Sequence, residues 1–172
     1  RAVKTAWRES HASVVAYMDV DLSAELDALP VLVRAITHEG YDIAIGSRLT
    51  RGARVVGRSL SREIISRSYN LLVRAVFATE LLDVQCGLKA VNLQTARGVI
   101  SLVRDDGWFF DSEMLIIAEK CGYRIREVPV HWTESLSSSV AIIPTAWGDL
   151  KGLLRLRTGG LRRASRALYK RR

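Results

Sequence analysis

Asp19 and Asp21 stand one residue apart, directly after the short, β-branched run Ser13-Val14-Val15-Ala16-Tyr17-Met18. That run has the length and apolar content of a buried strand. Residues i and i+2 of an extended chain point to one side, so the two carboxylates converge just past the strand's C-terminal end. In open α/β sheets that edge is where ligands bind. Two carboxylates so close repel each other unless a cation lies between them. Mg²⁺ suits such a pair, because it takes one or two carboxylates and completes its shell with water and substrate phosphates. A solvated turn would also carry this triplet, and Asp21 could equally serve the helix expected to start at Ser23.

Other polar residues are placed to share that edge. Arg48 follows the Gly46-Ser47 turn, and Arg62 and Ser66 fall one helical turn apart, with Arg67 beside them. Guanidinium groups grip phosphate with two parallel hydrogen bonds, and a hydroxyl adds a donor. The solvated face of a helix carries arginines too, and Arg62 or Arg67 taken singly would be read that way. In Asp83-Val84-Gln85-Cys86-Gly87-Leu88-Lys89, Gly87 permits a tight turn while Gln85 and Lys89 offer polar contacts. Cys86 has no base fixed beside it and reads as a small buried thiol. Asp111 and Glu113 open a helix after Trp108-Phe109-Phe110, where acids also serve as caps, so one of the two is expected to be structural.

The elements that must position these groups alternate strand and helix. After the first strand, a helix capped by Ser23 should present Leu26, Leu29, Val33 and Ile36 and stop near Gly40, with Pro30 as a point of kinking. Asp42 to Gly46 is the next strand, and the βαβ unit so formed implies a parallel sheet. A long helix is expected over 61–78, apolar along Ile64, Ile65, Leu72, Ala75 and Val76 and polar along Arg62, Ser66 and Asn70. Helices near 93–103 and 111–120 and a strand over 124–132 complete the body. The 172 residues suffice for one real core, and two distant cysteines argue for reduced thiols in a cytosolic compartment. No apolar run reaches the roughly twenty residues of a membrane span, and no signal segment is visible. The chain begins with Arg1, inside what reads as a helix.

Charge is distributed unevenly. Residues 151–172 hold nine Lys or Arg and no acid, which leaves 17 basic and 18 acidic residues before them. The formal charge of +8 therefore belongs to the C-terminal end. A helix over Pro144 to Leu156 bears Trp147, Leu150, Leu153 and Leu154. Beyond it, a basic amphipathic segment fits an anionic membrane surface, at about 1 kcal/mol per cation; a solvated tail is the alternative.

The blocks MDVDLS, AIGSR, REIISRSYN, DVQCGLK, WFFDSEML and EVPVHW occur in this order between about residue 12 and residue 157. Together they resemble the dolichyl- or polyprenyl-phosphate glycosyltransferases of family two, nearest their glucosyl-type branch. The resemblance implies an α/β, GT-A-like nucleotide-diphospho-sugar transferase fold with a mainly parallel sheet, here its C-terminal portion over 1–157, followed by a tail over 158–172. It implies inverting transfer of glucose or mannose from UDP-glucose or GDP-mannose to a polyprenyl phosphate, at the cytoplasmic face of a membrane. Mg²⁺ or Mn²⁺ would sit on Asp19 and Asp21. Arg48, Arg62 and Ser66, with Arg67, Gln85 and Lys89, would bind substrate, and Asp111 and Glu113 would be the catalytic acids. Two departures matter. The part that holds the nucleotide base should precede Arg1, so these residues alone are expected to be inactive; and the usual cation after the last strand falls at Ser139. A non-catalytic module that grips anionic membrane or nucleic acid through its basic end is the rival class. No nucleic-acid motif appears, and nucleic acid is not an expected partner.

Overall fold

A computed structural model describes residues 2–134 and 142–169. Its main sheet has four strands in the order β1-β4-β2-β5: β1 (Val14–Met18), β2 (Ile43–Ser47), β4 (Leu88–Asn92) and β5 (Ile125–Pro129). β2 pairs with β5 in parallel, whereas β4 lies antiparallel between β1 and β2. A second, two-stranded parallel sheet joins β3 (Arg54–Val56) to β6 (His131–Thr133). The α/β class is as the sequence implies, and β1 and β2 do run the same way around α2 (Ala28–Thr37). The expectation of a mainly parallel sheet is corrected to a mixed one. β4 is inserted between β1 and β2 in the opposite direction, and its ladder with β1 extends to the Asp19 N–H and Gly87 carbonyl at 2.8 Å.

Both faces of the sheet are covered, so its central strands are buried except at Asn92, the last residue of β4. Ile43 and Ile45 face one apolar cluster with Val91, Val99, Leu115 and Leu153. Ala44, Leu88 and Ala90 face another with Leu32, Ala35 and Ile36 of α2. The alternation follows from the two-residue period of a strand, and each fully buried Ile or Leu contributes about 1.5–3 kcal/mol.

Three helical expectations are revised. α2 begins at Ala28 rather than at Ser23, because residues 23–25 are drawn to β6 instead. There the Thr133 N–H reaches the Ser23 carbonyl at 2.8 Å, and Glu25 N–H reaches the His131 carbonyl at 3.0 Å. Pro30 then falls in the first turn, where amide protons lack helical partners anyway, and it is tolerated. α3 (Leu60–Phe77) starts where expected, with the Ser59 hydroxyl accepting from the Arg62 N–H. Its faces are exchanged, however. Ser66 and Asn70 are buried with Val73 and Phe77, while Leu60, Ile64, Ile65, Leu71 and Leu72 are exposed. Asn70 explains the choice: its Oδ1 accepts from Val84 N–H at 2.9 Å, tying the polar stripe to the loop before β4.

The C-terminal helices are the third revision. α4 (Leu93–Ile100) and α5 (Phe110–Lys120) precede α6 (Ile142–Arg155), a wide turn at Leu156–Gly160, and α7 (Leu161–Tyr169). α1 (Ala2–Glu9) lies against α4. α7 packs on α5, with Leu156 and Ala164 buried in the larger cluster. Within the segment expected as a basic amphipathic or disordered tail, Leu161–Tyr169 is a helix packed on the body, and its Arg162, Arg163 and Arg166 are exposed. Ser139 and the terminal Lys170, Arg171 and Arg172 lie outside the described residues.

Candidate active site

The end of β1 builds the acidic part of the site. Leu22 N–H bonds the Asp19 carbonyl at 3.1 Å, closing a turn, and Asp21 Oδ1 accepts from Ser23 N–H at 3.2 Å. A Cβ on Gly87 would fall 1.8 Å from Asp19 Oδ2, so the glycine makes the recess that the carboxylate occupies. Burial there raises the Asp19 pKa; Lys89 opposes the shift, Asp21 adds to it, and Arg48 opposes it again. Asp21 is therefore near enough to repel Asp19, which is the donor chemistry a hard cation relieves. Both residues remain accessible to solvent. Among the described residues no cluster of three or more His, Cys, Asp or Glu is arranged for an ion. A cation here would rest on these two carboxylates and take its other ligands from water and substrate.

Arg48 emerges at the same edge, but its fork is already filled. Its Nε and Nη2 donate to the two oxygens of Asp83 at 2.8 and 2.9 Å, and its backbone N–H adds a third bond at 3.0 Å. Burial disfavours both charges, yet the pairing outweighs it, lowering Asp83 and keeping Arg48 protonated. Trp132 covers the guanidinium at 4.9 Å. Glu127 in turn accepts from Leu82 and Asp83 N–H at 2.8 and 2.9 Å. The expected phosphate ligand is a buried strut of the Asp83–Lys89 loop. Cys86 is inert as expected, with burial pushing its thiol up to about 11.

A second cation cluster sits where α3 begins. Arg62 pairs with Glu134, just after β6, and Trp132 Nε1 donates to the same carboxylate at 3.3 Å. Arg58, whose side chain is only 8% exposed, approaches Glu63 at 3.1 Å and Glu134 at 3.8 Å. Arg58 Nε and Ser66 Oγ are buried without a hydrogen-bond partner among the described residues. Arg62 and Ser66 lie one helical turn apart on α3. Arg67 is not: its side chain is 62% exposed and pairs with Glu63 on the solvent side of α3. Arg58 and Glu134 were not singled out in the sequence, where the only local sign was an arginine next to the Ser59 cap.

The third group surrounds Lys89, which is wholly buried in mid-strand. Its Nζ donates to the Cys86 carbonyl, lies 3.0 Å from Asp111 Oδ1 and sits 5.4 Å from the centre of the Tyr17 ring. Burial pushes Lys89 down to about 8 and Asp111 up to about 8, with Asp149 adding to the second shift. The contact between the two opposes both shifts. Asp149, on α6, accepts from Gln85 Nε2 at 2.9 Å, and burial pushes it up to about 6. Nothing local in the sequence marks Asp149. Glu113, the other acid expected to be catalytic, is held by structural contacts. It accepts from Arg104 and Asp105 N–H at 3.0 and 2.8 Å and from Arg155 Nη2 at 2.9 Å. It staples α5 to a loop and to α6, and so is the structural member of the acidic pair.

Paired carboxylates at a strand end, an arginine cluster at the start of α3, and an acid beside a buried lysine thus lie on elements gathered around the β1–β4 edge. The chain belongs to glycosyl transferase family 2, whose model matches residues 1–97. That membership implies a GT-A-like fold, in keeping with the mixed α/β architecture. It is 34% identical over 154 residues to Glycosyltransferase AglD of Haloferax volcanii, covering 90% of this chain and 24% of that protein. It is 30% identical over 128 residues to a dolichyl-phosphate beta-glucosyltransferase of Dictyostelium discoideum, covering 73% and 39%. With an undecaprenyl-phosphate mannosyltransferase of Micrococcus luteus it shares 31% identity over 122 residues, covering 70% and 49%. The chain thus spans between a quarter and a half of the length of these relatives.

Proposed function

We propose that the protein transfers a hexose, glucose or mannose, from a nucleotide-diphospho-sugar to a polyprenyl phosphate, with inversion, at the cytoplasmic face of a membrane. The observation that carries this is the meeting of Asp19, Lys89 and Asp111 around the Gly87 turn, beside Asp21 and near Arg48. The names of the dolichyl- and undecaprenyl-phosphate relatives supply the acceptor class. A phosphomonoester has a second pKa of about 6, so its oxygen is anionic near neutrality and needs no strong base. That oxygen forms the new bond to the anomeric carbon while the nucleoside diphosphate departs with the electron pair of the old one. A single displacement inverts the centre.

Asp19 and Asp21 would hold Mg²⁺ or Mn²⁺, which would neutralise the departing diphosphate. Arg62, Arg58 and Ser66 receive the acceptor phosphate, and Ser66 Oγ, buried without a partner among the described residues, gains a hydrogen bond there. Lys89, Asp111 and Gln85 face the sugar. Among the described residues no helix is long and apolar enough to cross a membrane. Membrane contact is instead assigned to Trp147, Leu150 and Leu154 of α6, which are exposed, with Lys151 over the Trp147 ring and the exposed arginines of α7 nearby. Transfer by the full-length protein should be measured with UDP-glucose and GDP-mannose side by side, with polyprenyl phosphate, before and after chelation. One donor should give a lipid-linked sugar that chelation abolishes. No transfer from either donor would overturn the proposal.

A further inference from the structure

Glu134 stands where the proposed function places an acceptor phosphate. The carboxylate pairs with Arg62, receives Trp132 Nε1 at 3.3 Å, and lies 3.8 Å from Arg58 Nε, too far for a hydrogen bond. Its side chain is 17% exposed. The contrast with Asp83 is instructive. Asp83 is sealed from solvent and takes three bonds from one arginine, the arrangement of a permanent strut. Glu134 spreads itself over donors from different elements and satisfies them incompletely. Arg58 Nε is buried and has no hydrogen-bond partner among the described residues, and the same is true of the Oγ of Ser66, one helical turn beyond Arg62 on α3.

The charges are also unbalanced. Arg48 is neutralised by Asp83, and Glu63 is divided between Arg58 and exposed Arg67. Among the described residues, Glu134 then serves Arg62 and the remainder of Arg58. Burial, and after it the neighbouring Arg48, lowers the Arg58 pKa, as befits a cation short of negative charge. A phosphomonoester carries nearly two negative charges near neutral pH and three acceptor oxygens, enough for both guanidiniums and the serine. The backbone of Glu134 is fixed by its N–H to the Val56 carbonyl at 2.9 Å, so leaving the cluster requires only rotation of the side chain.

We infer that Glu134 is a built-in counter-ion of the acceptor-phosphate site, displaced by a dianionic phosphomonoester and returning once transfer has made that phosphate a monoanionic diester. This rests on the function proposed above. Before transfer the incoming phosphate outbids the carboxylate by charge. After transfer both competitors carry one negative charge, and the tethered one has the advantage of a high effective concentration. Glu134 thereby promotes product release.

The test uses the full-length protein and titration calorimetry with farnesyl phosphate and with its methyl diester. Glu134→Gln keeps the shape and removes the charge. It should bind both probes about tenfold more tightly, as removal of an intramolecular competitor requires, and its turnover should become sensitive to added product. Glu134→Asp, which draws the carboxylate back by one methylene, should fall between the two and gives the same comparison if the glutamine variant melts early. Equal or weaker binding by the variants would show that Glu134 merely orients the arginines, overturning the inference and leaving the proposed function intact. Failure of wild type and variants alike to bind farnesyl phosphate would overturn both.

Discussion

The recess at Gly87 holds Asp19 in place, and it can be closed without touching a charge. Gly87→Ala brings a methyl group within 1.8 Å of Asp19 Oδ2, so the carboxylate must leave. Metal-dependent transfer should fall at least a hundredfold, about 3 kcal/mol in barrier terms, while the melting temperature moves little. Arg62→Ala should raise the KM for lipid phosphate without changing donor affinity, separable by steady-state kinetics with each substrate varied in turn. Asp111 offers a titration. Its folded pKa, raised from 3.8 to about 8, means the native state binds a proton that the unfolded chain has lost. Stability therefore falls as pH rises through that window. Lys89, lowered from 10.5 to about 8, does the reverse, and stability recovers from pH 8 upward. Thermal melts should show a trough near pH 8, and Asp111→Asn should flatten its acid side. Among single residues, Asp19 and Asp21 were legible because a two-residue spacing is a local signal. Asp149 was not, because its partners Gln85 and Asp111 come from distant elements and nothing in its own surroundings announces a site.

At the scale of elements, local patterns told where helices lie better than which way they face. α3 was placed within a residue, yet its apolar side is the exposed one. Hydrophobic periodicity assumes that the core takes the greasy face, and here Asn70 and Arg62 anchor the polar face to the loop before β4 and to Glu134 instead. Likewise Glu113 and Asp111 share one helical turn and differ only in what α6 and the Arg104–Asp105 loop present to them. Glu113→Ala leaves two amide protons and Arg155 without their acceptor. It should cost about 3 kcal/mol in urea unfolding, with kcat of the folded fraction largely kept. Asp111→Asn should show the opposite pattern.

At the scale of the whole molecule, the C-terminal helices belong to the core. Cutting at Gly159 removes Ala164 and Leu161 from the face of α5, so the shortened protein should melt several degrees lower. It should also bind anionic vesicles less at low salt, in a sedimentation assay run beside the intact protein. The division of charge was visible in the sequence, but the packing of α7 was not, because small residues such as Ala164 carry little apolar signal. The position of β4 has a kinetic consequence. It separates β1 from β2 in the sheet, and the Val14–Asn92 pairing spans the whole of α2, β2, β3 and α3. Neither first strand can complete its ladder until residue 92 has been made, so a ribosome emitting the chain exposes two apolar strand edges for as long as it takes to synthesise β4. Refolding should accordingly be slow, in milliseconds to seconds, and chaperone dependence should fall in two steps, as β4 and then β5, the other neighbour of β2, emerge.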